Sequence, residues 1–165
     1  MDREMPGLLT REGLNFLYRS EHGNISRKSW WLGVILLDSV LFVLLTIWFA
    51  VSPWAGRGLD ERAMIDGRTI LAYIYAIVLA FALLLIAVCY VNLTSKRFQT
   101  RGFNHLPAGL AGIPLVLLLL AGGLFWIHLR VPDIISSWIV YAAIAASVLA
   151  LMWHVVELGL RPDPE

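Results

Sequence analysis

Few side chains in this sequence could carry chemistry, and the most distinctive of them lie where water is scarce. Asp38 sits alone among the acids inside a long apolar run, residues 30–51. A carboxylate at that depth of a bilayer costs a few kcal/mol even on lenient scales. Asp38 is therefore expected to face protein and to be either paired or neutral. His154 and Glu157 stand three apart, which puts an imidazole and a carboxylate on one helical face at a spacing used by metal sites. One helix supplies only two ligands, so a hydrogen-bonded pair at a helix end is the commoner meaning. Tyr90 and Asn92 fall in another apolar run. Counting residues from the helix ends at about 1.5 Å each brings Asp38, Tyr90, Asn92 and His154 to a similar depth, with Glu157 nearer the surface. The expectation is one intramembrane polar cluster, with Asp38 hydrogen-bonded to at least one other member. It would either hold helices together or relay a proton or cation.

A second set is cationic: Arg27, Lys28, Lys96, Arg97 and Arg101, interleaved with Trp30, Trp31, Phe98 and Phe103. The stretch 94–107 contains no acid. Cations at headgroup depth gain on the order of 1 kcal/mol each from anionic lipid. These five are expected to set topology and to contact anionic lipid or an acidic partner. No His-x-x-x-His pair, Gly-x-Ser-x-Gly elbow or phosphate-cradling glycine loop is encoded. The sequence thus names no catalytic residue, cofactor or metal, and a non-enzymatic protein is expected. Cys89 is the single cysteine, so no intrachain disulfide can form.

The elements that must position these groups follow from composition. Of 165 residues, 59% are hydrophobic and 15% charged, against roughly 45–50% and 25% in soluble domains. The mean hydropathy is +0.73. Four apolar stretches are long enough to span a bilayer, at residues 30–51, 70–93, 108–128 and 134–158. The sequence predicts an all-α, polytopic membrane protein, a single domain built as a bundle of four transmembrane helices. Residues 1–29 form an N-terminal segment, in which 8–19 reads as a short interfacial helix or a frayed tail. Thr69 is expected to cap the second span, Pro132 and Asp133 to open the fourth, and Gly102 to stop the second. Alanines four apart, Ala72, Ala76 and Ala80, then Ala142, Ala146 and Ala150, suggest packing seams.

With four spans, both chain ends and the middle loop share one side. That side carries nine Lys and Arg residues: Arg3, Arg11, Arg19, Arg27, Lys28, Lys96, Arg97, Arg101 and Arg161. The opposite side carries four, Arg57, Arg62, Arg68 and Arg130. By the positive-inside rule, both termini are expected to be cytoplasmic. The net charge of +1 gives no argument for nucleic acid.

Two stretches are more specific than composition. Gly23-Asn24-Ile25-Ser26-Arg27-Lys28-Ser29-Trp30-Trp31 leads into the first span. Ser95-Lys96-Arg97-Phe98-Gln99-Thr100-Arg101-Gly102 leaves the second, with Ile113-Pro114 following in the third. Together they resemble the signatures of a bacterial inner-membrane family known as domain of unknown function 805, a Gly-Arg-x-Ser-Arg-Lys-x-Phe/Trp-Trp start and an Arg-Leu-His-Asp-x-Gly turn. Asn24, Gln99 and Thr100 depart from that family's Arg, His and Asp. The resemblance implies a small, multi-pass protein of the bacterial inner (plasma) membrane and no particular reaction. The functions expected are a non-enzymatic module meeting anionic lipid or a partner protein through its basic face, or a transporter or channel subunit with a relay near Asp38. Membrane lipids, a membrane-protein partner and a homo-oligomer are the partners to look for.

Overall fold

The computed structural model describes residues 10–20, 23–55, 66–103, 107–131 and 134–162. The described residues form helices: α1 (Arg11–Arg19), α2 (Arg27–Ala55), α3 (Gly67–Thr100), α4 (Pro107–Arg130) and α5 (Ser137–His154). A π-helical turn (Val155–Leu160) continues α5. The last four helices are long and apolar enough to cross a membrane, and the chain is an integral, multi-pass membrane protein.

Each terminus of these helices has a local cause. Thr10 caps α1, its hydroxyl accepting from the Gly13 N–H at 3.2 Å. Ser26 does the same for α2, accepting from the Ser29 N–H at 3.2 Å. The cap of α3 is Asp66, accepting from the Arg68 N–H at 3.1 Å, and not Thr69. Thr69 lies one turn inside, where its hydroxyl reaches the Trp54 carbonyl at 3.4 Å. Gly102 does stop α3. At φ +86° it lets the Gly102 N–H reach the Gln99 carbonyl and the Phe103 N–H reach the Phe98 carbonyl, both at 3.0 Å. This is a Schellman closure, completed by an edge-on contact of the Phe98 and Phe103 rings at 5.6 Å. α5 begins after Ser136, three residues later than the hydropathy boundary. The expected opening at Pro132 and Asp133 lies outside the described residues.

The spans pack in sequence order, α2 on α3, α3 on α4 and α4 on α5. The row is joined at one end only, where the π turn rests on α2 and α3. That end carries α1, the last turns of α3 and the π turn, and it is called the basic end below. α3 has 34 residues, about 50 Å at 1.5 Å per residue, longer than a hydrocarbon core of roughly 30 Å. It is thus longer than a span requires, and α1 packs on its last turns.

The alanine stripes are seams only in part. Ala72 is fully buried, but Ala80 and Ala142 are exposed. The buried positions recur every seven residues, Ala72, Leu79 and then Leu93 on α3, and Val140, Ser147 and His154 on α5. A seven-residue repeat is what near-parallel helices present to each other, whereas a strict four-residue repeat drifts around the helix. The apolar core also sits at the basic end, made of Leu17, Ile25, Trp30, Leu93, Phe98, Ala111 and Leu158. Trp30, which opens the first apolar stretch, is part of that core at 2% exposure.

Candidate functional site

Seven consecutive residues near the end of α3, from Asn92 to Phe98, are buried. They include Lys96 and Arg97, each at 0% exposure. Burying two cations beside one another requires acceptors, and here backbone carbonyls supply them.

Lys96 points at the end of α1. Its Nζ donates to the Phe16 carbonyl and, at 2.7 Å, to the Leu17 carbonyl, and it lies 4.7 Å from the centre of the Phe16 ring. Asn92, one turn earlier, donates to the Tyr18 carbonyl at 2.9 Å. These three carbonyls belong to the last turn of α1, which has no partners of its own within the helix. The negative end of α1 is therefore capped by side chains of α3, with an ammonium where the helix dipole favours one. Tyr18 closes the other side, its hydroxyl donating to the Gly33 carbonyl at 2.9 Å. Burial pushes its ionisation up to about 12.

The chain leaving α1 is held in the same manner. Gly23, at φ +135°, turns against the Phe16 ring, where a Cβ would lie 2.9 Å from the ring carbons. Its N–H donates to Gln99 Oε1 at 3.2 Å, and the Ile25 N–H donates to Thr100 Oγ1 at 3.0 Å. Arg97 ties both chain ends to α3. Its Nη1 reaches the Ile25 carbonyl at 3.3 Å and its Nε the Leu158 carbonyl at 3.0 Å. Trp31 Nε1 donates to the Gly159 carbonyl at 3.1 Å, where a Cβ on Gly159 would meet the Trp31 ring at 2.8 Å.

The five cations expected to form one lipid-facing collar are thus divided. Lys96 and Arg97 have no surface to offer a headgroup, because backbone carbonyls enclose them. Arg101 is 11% exposed and pairs with Glu157 at 3.1 Å, while donating to the Pro162 carbonyl at 2.7 Å. The other Glu157 oxygen takes Arg161 at 2.6 Å. Arg27 and Lys28 remain exposed, Arg27 reaching the Leu160 carbonyl at 3.4 Å.

The expected polar cluster is likewise broken up. Tyr90 and His154 do meet, hydroxyl to Nδ1, at 3.0 Å. Nε2 of His154 lies 3.2 Å from the Leu110 carbonyl, which can only accept. The proton of a neutral ring therefore sits on Nε2, and Nδ1 accepts from Tyr90. Asn92 faces α1, and Glu157 faces the two arginines. Asp38 hydrogen-bonds to none of them, though it lies close enough to Tyr90 to act on it electrostatically. It is exposed and makes no hydrogen bond or ion pair among the described residues. Depth along a helix was countable from sequence, but the direction around it also decides contact, and Asp38 lies off the α3-facing stripe marked by Val34, Leu37, Leu41 and Leu44.

The clasp itself was not anticipated. Its signal was the spacing of Asn92, Lys96, Gln99 and Thr100, a polar face on a helix too apolar elsewhere to need one. No family model, curated protein or solved structure matches this chain.

Proposed function

We propose that the protein is a non-enzymatic membrane module that meets anionic headgroups through Arg27 and Lys28, presented on a rigid basic end. One observation carries this: of the five cations in the two motifs, these two alone are exposed, and neither has an acidic partner among the described residues. The other three fix the scaffold on which that pair stands. A relay through Asp38 has no hydrogen-bonded partner to take a proton onward.

The resemblance to domain of unknown function 805 gains support from what the motif residues do. Gly23 makes the turn, Ser26 caps α2, and Arg97 grips the Ile25 carbonyl between them. Gln99 and Thr100, which depart from that family's His and Asp, both still accept from the backbone of the other motif. On this reading the protein belongs to a bacterial inner membrane, with both termini cytoplasmic.

The test is native mass spectrometry of the full chain from mild detergent, with phosphatidylglycerol and phosphatidylcholine in equal supply. Arg27→Gln with Lys28→Gln should lower phosphatidylglycerol retention about 5- to 30-fold, from the loss of about 0.5–1 kcal/mol per cation. Unchanged retention would overturn the assignment.

A further inference from the structure

Asp38 lies eleven residues past the first residue of α2, about 16 Å along the helix axis, well within the apolar span. On its outward side Ile35, Ser39, Phe42 and Val43, all of α2, line with it an open groove of about 480 Å³, while Tyr90 of α3 lies within electrostatic reach on the other. Their spacing, i, i+3, i+4, i+7 and i+8, is that of one helical packing face. Thr46 extends the same stripe and is also exposed. Phe42 is 72% exposed and Ile35 58%, so none of the described helices covers the stripe.

The distribution of polar groups makes this exposure informative. On α3 and α5 the strongly polar side chains Asn92, Lys96, Arg97, Ser147 and His154 are buried. On α2, Asp38, Ser39 and Thr46 are gathered on an outward face instead. A bilayer offers such a carboxyl nothing to bond, and its cost there is a few kcal/mol. α2 is also the end of the row of spans, with no extended packing on α4 or α5 among the described residues. Trp31 shares the side of α2 that carries Asp38, seven residues apart, and touches the π turn. Beyond that contact the described residues leave this side of α2 open.

We infer that this stripe packs against the same stripe of a second copy, side by side in the membrane about a two-fold axis near Asp38. The occupant follows from the chemistry of the stripe. An axis along the membrane normal sets each residue opposite its own copy at the same depth. Carboxyl then meets carboxyl, and Ser39 and Thr46 lie beside their counterparts. A carboxyl in its acid form both donates and accepts, so the pair completes itself without a third group. Ser39, small and next to Asp38, leaves room for the backbones to approach, which is how helices associate in lipid. This dimer is independent of the headgroup contacts proposed above.

The experiment is oxidative cross-linking of the full chain in its native membranes, in a Cys89→Ala background. Ser39→Cys should give a disulfide-linked dimer, while Leu119→Cys, on the 77%-exposed outer face of α4, should stay monomeric. In bilayers, Asp38→Leu should lower the dimerisation constant about 3- to 20-fold, the range of interhelical polar contacts, and Asp38→Asn should stay within about threefold of the parent. The inference falls if Ser39→Cys stays monomeric, if both cysteines cross-link equally, or if Ser39→Cys captures a different protein in place of its own copy. It falls also if Asp38→Leu dimerises as tightly as the parent.

Discussion

Lys96→Met is the sharpest probe of how the basic end is held. Methionine keeps the length and apolar stem of lysine and removes only the ammonium. The Phe16 and Leu17 carbonyls then lose their donor in a site whose interior lysine is 0% exposed. Each orphaned buried carbonyl costs about 1–3 kcal/mol, a total of about 2–6 kcal/mol. The lost ammonium–ring contact with Phe16 adds about 1 kcal/mol. Against this stands the relief of a desolvated cation, worth several kcal/mol gross, so a net loss of about 2–3 kcal/mol is expected. α1 has nine residues, too few to persist undocked, since isolated helices need roughly 12–15. Undocking and unfolding of α1 are thus one event, and the open fraction should rise about 30- to 150-fold. Hydrogen exchange of the α1 amides in detergent reads this directly, with the spans as internal control. Lys28→Met, an exposed site, should leave exchange unchanged. Protection of α1 within twofold of the parent after Lys96→Met would refute the capping role, and uniform loss across all helices would show a global defect instead.

Two further outcomes follow from the same end. Tyr18 is protonated in its buried bond to Gly33, with an ionisation raised from about 10 to about 12. Its contribution is complete below pH 10 and is lost as pH rises through 12, so α1 should release in that window. A tyrosinate absorbance titration should show a late-titrating component that shrinks by one tyrosine in Tyr18→Phe. Glu157→Ala leaves Arg101, 11% exposed, without its acid and should cost about 3 kcal/mol in denaturant unfolding. Arg161→Ala should cost less than about 1 kcal/mol, because that side chain is 58% exposed.

The spans were legible in the sequence because hydrocarbon thickness demands long apolar runs, and each of the four lies within or close to an observed helix. Gly102 was legible because a glycine after a basic helix end has few other uses. Lys96 and Arg97 were misplaced for a definite reason. Their neighbours in sequence are those of a headgroup collar, while their partners are main-chain carbonyls up to 80 residues away, which every residue possesses and no pattern marks. The alanine stripes misled in the opposite sense, since a conspicuous four-residue repeat drew attention from the seven-residue repeat that buries Val140, Ser147 and His154. Asp38 had the right depth and the wrong side, because depth is a count and side is an angle.

The grip of Arg97 on both chain ends has a consequence for biosynthesis. Ile25 is 72 residues upstream of Arg97 and Leu158 is 61 residues downstream. α1 and the stretch that follows it therefore cannot be locked until α3 has been inserted, and the lock cannot be finished until the π turn after α5 arrives. A chain truncated or mis-threaded before that point carries an amphipathic N-terminal segment with no seat and a bare arginine beneath it. Such a chain differs chemically from a finished one at its basic end, so completion of the fourth span is reported at α1.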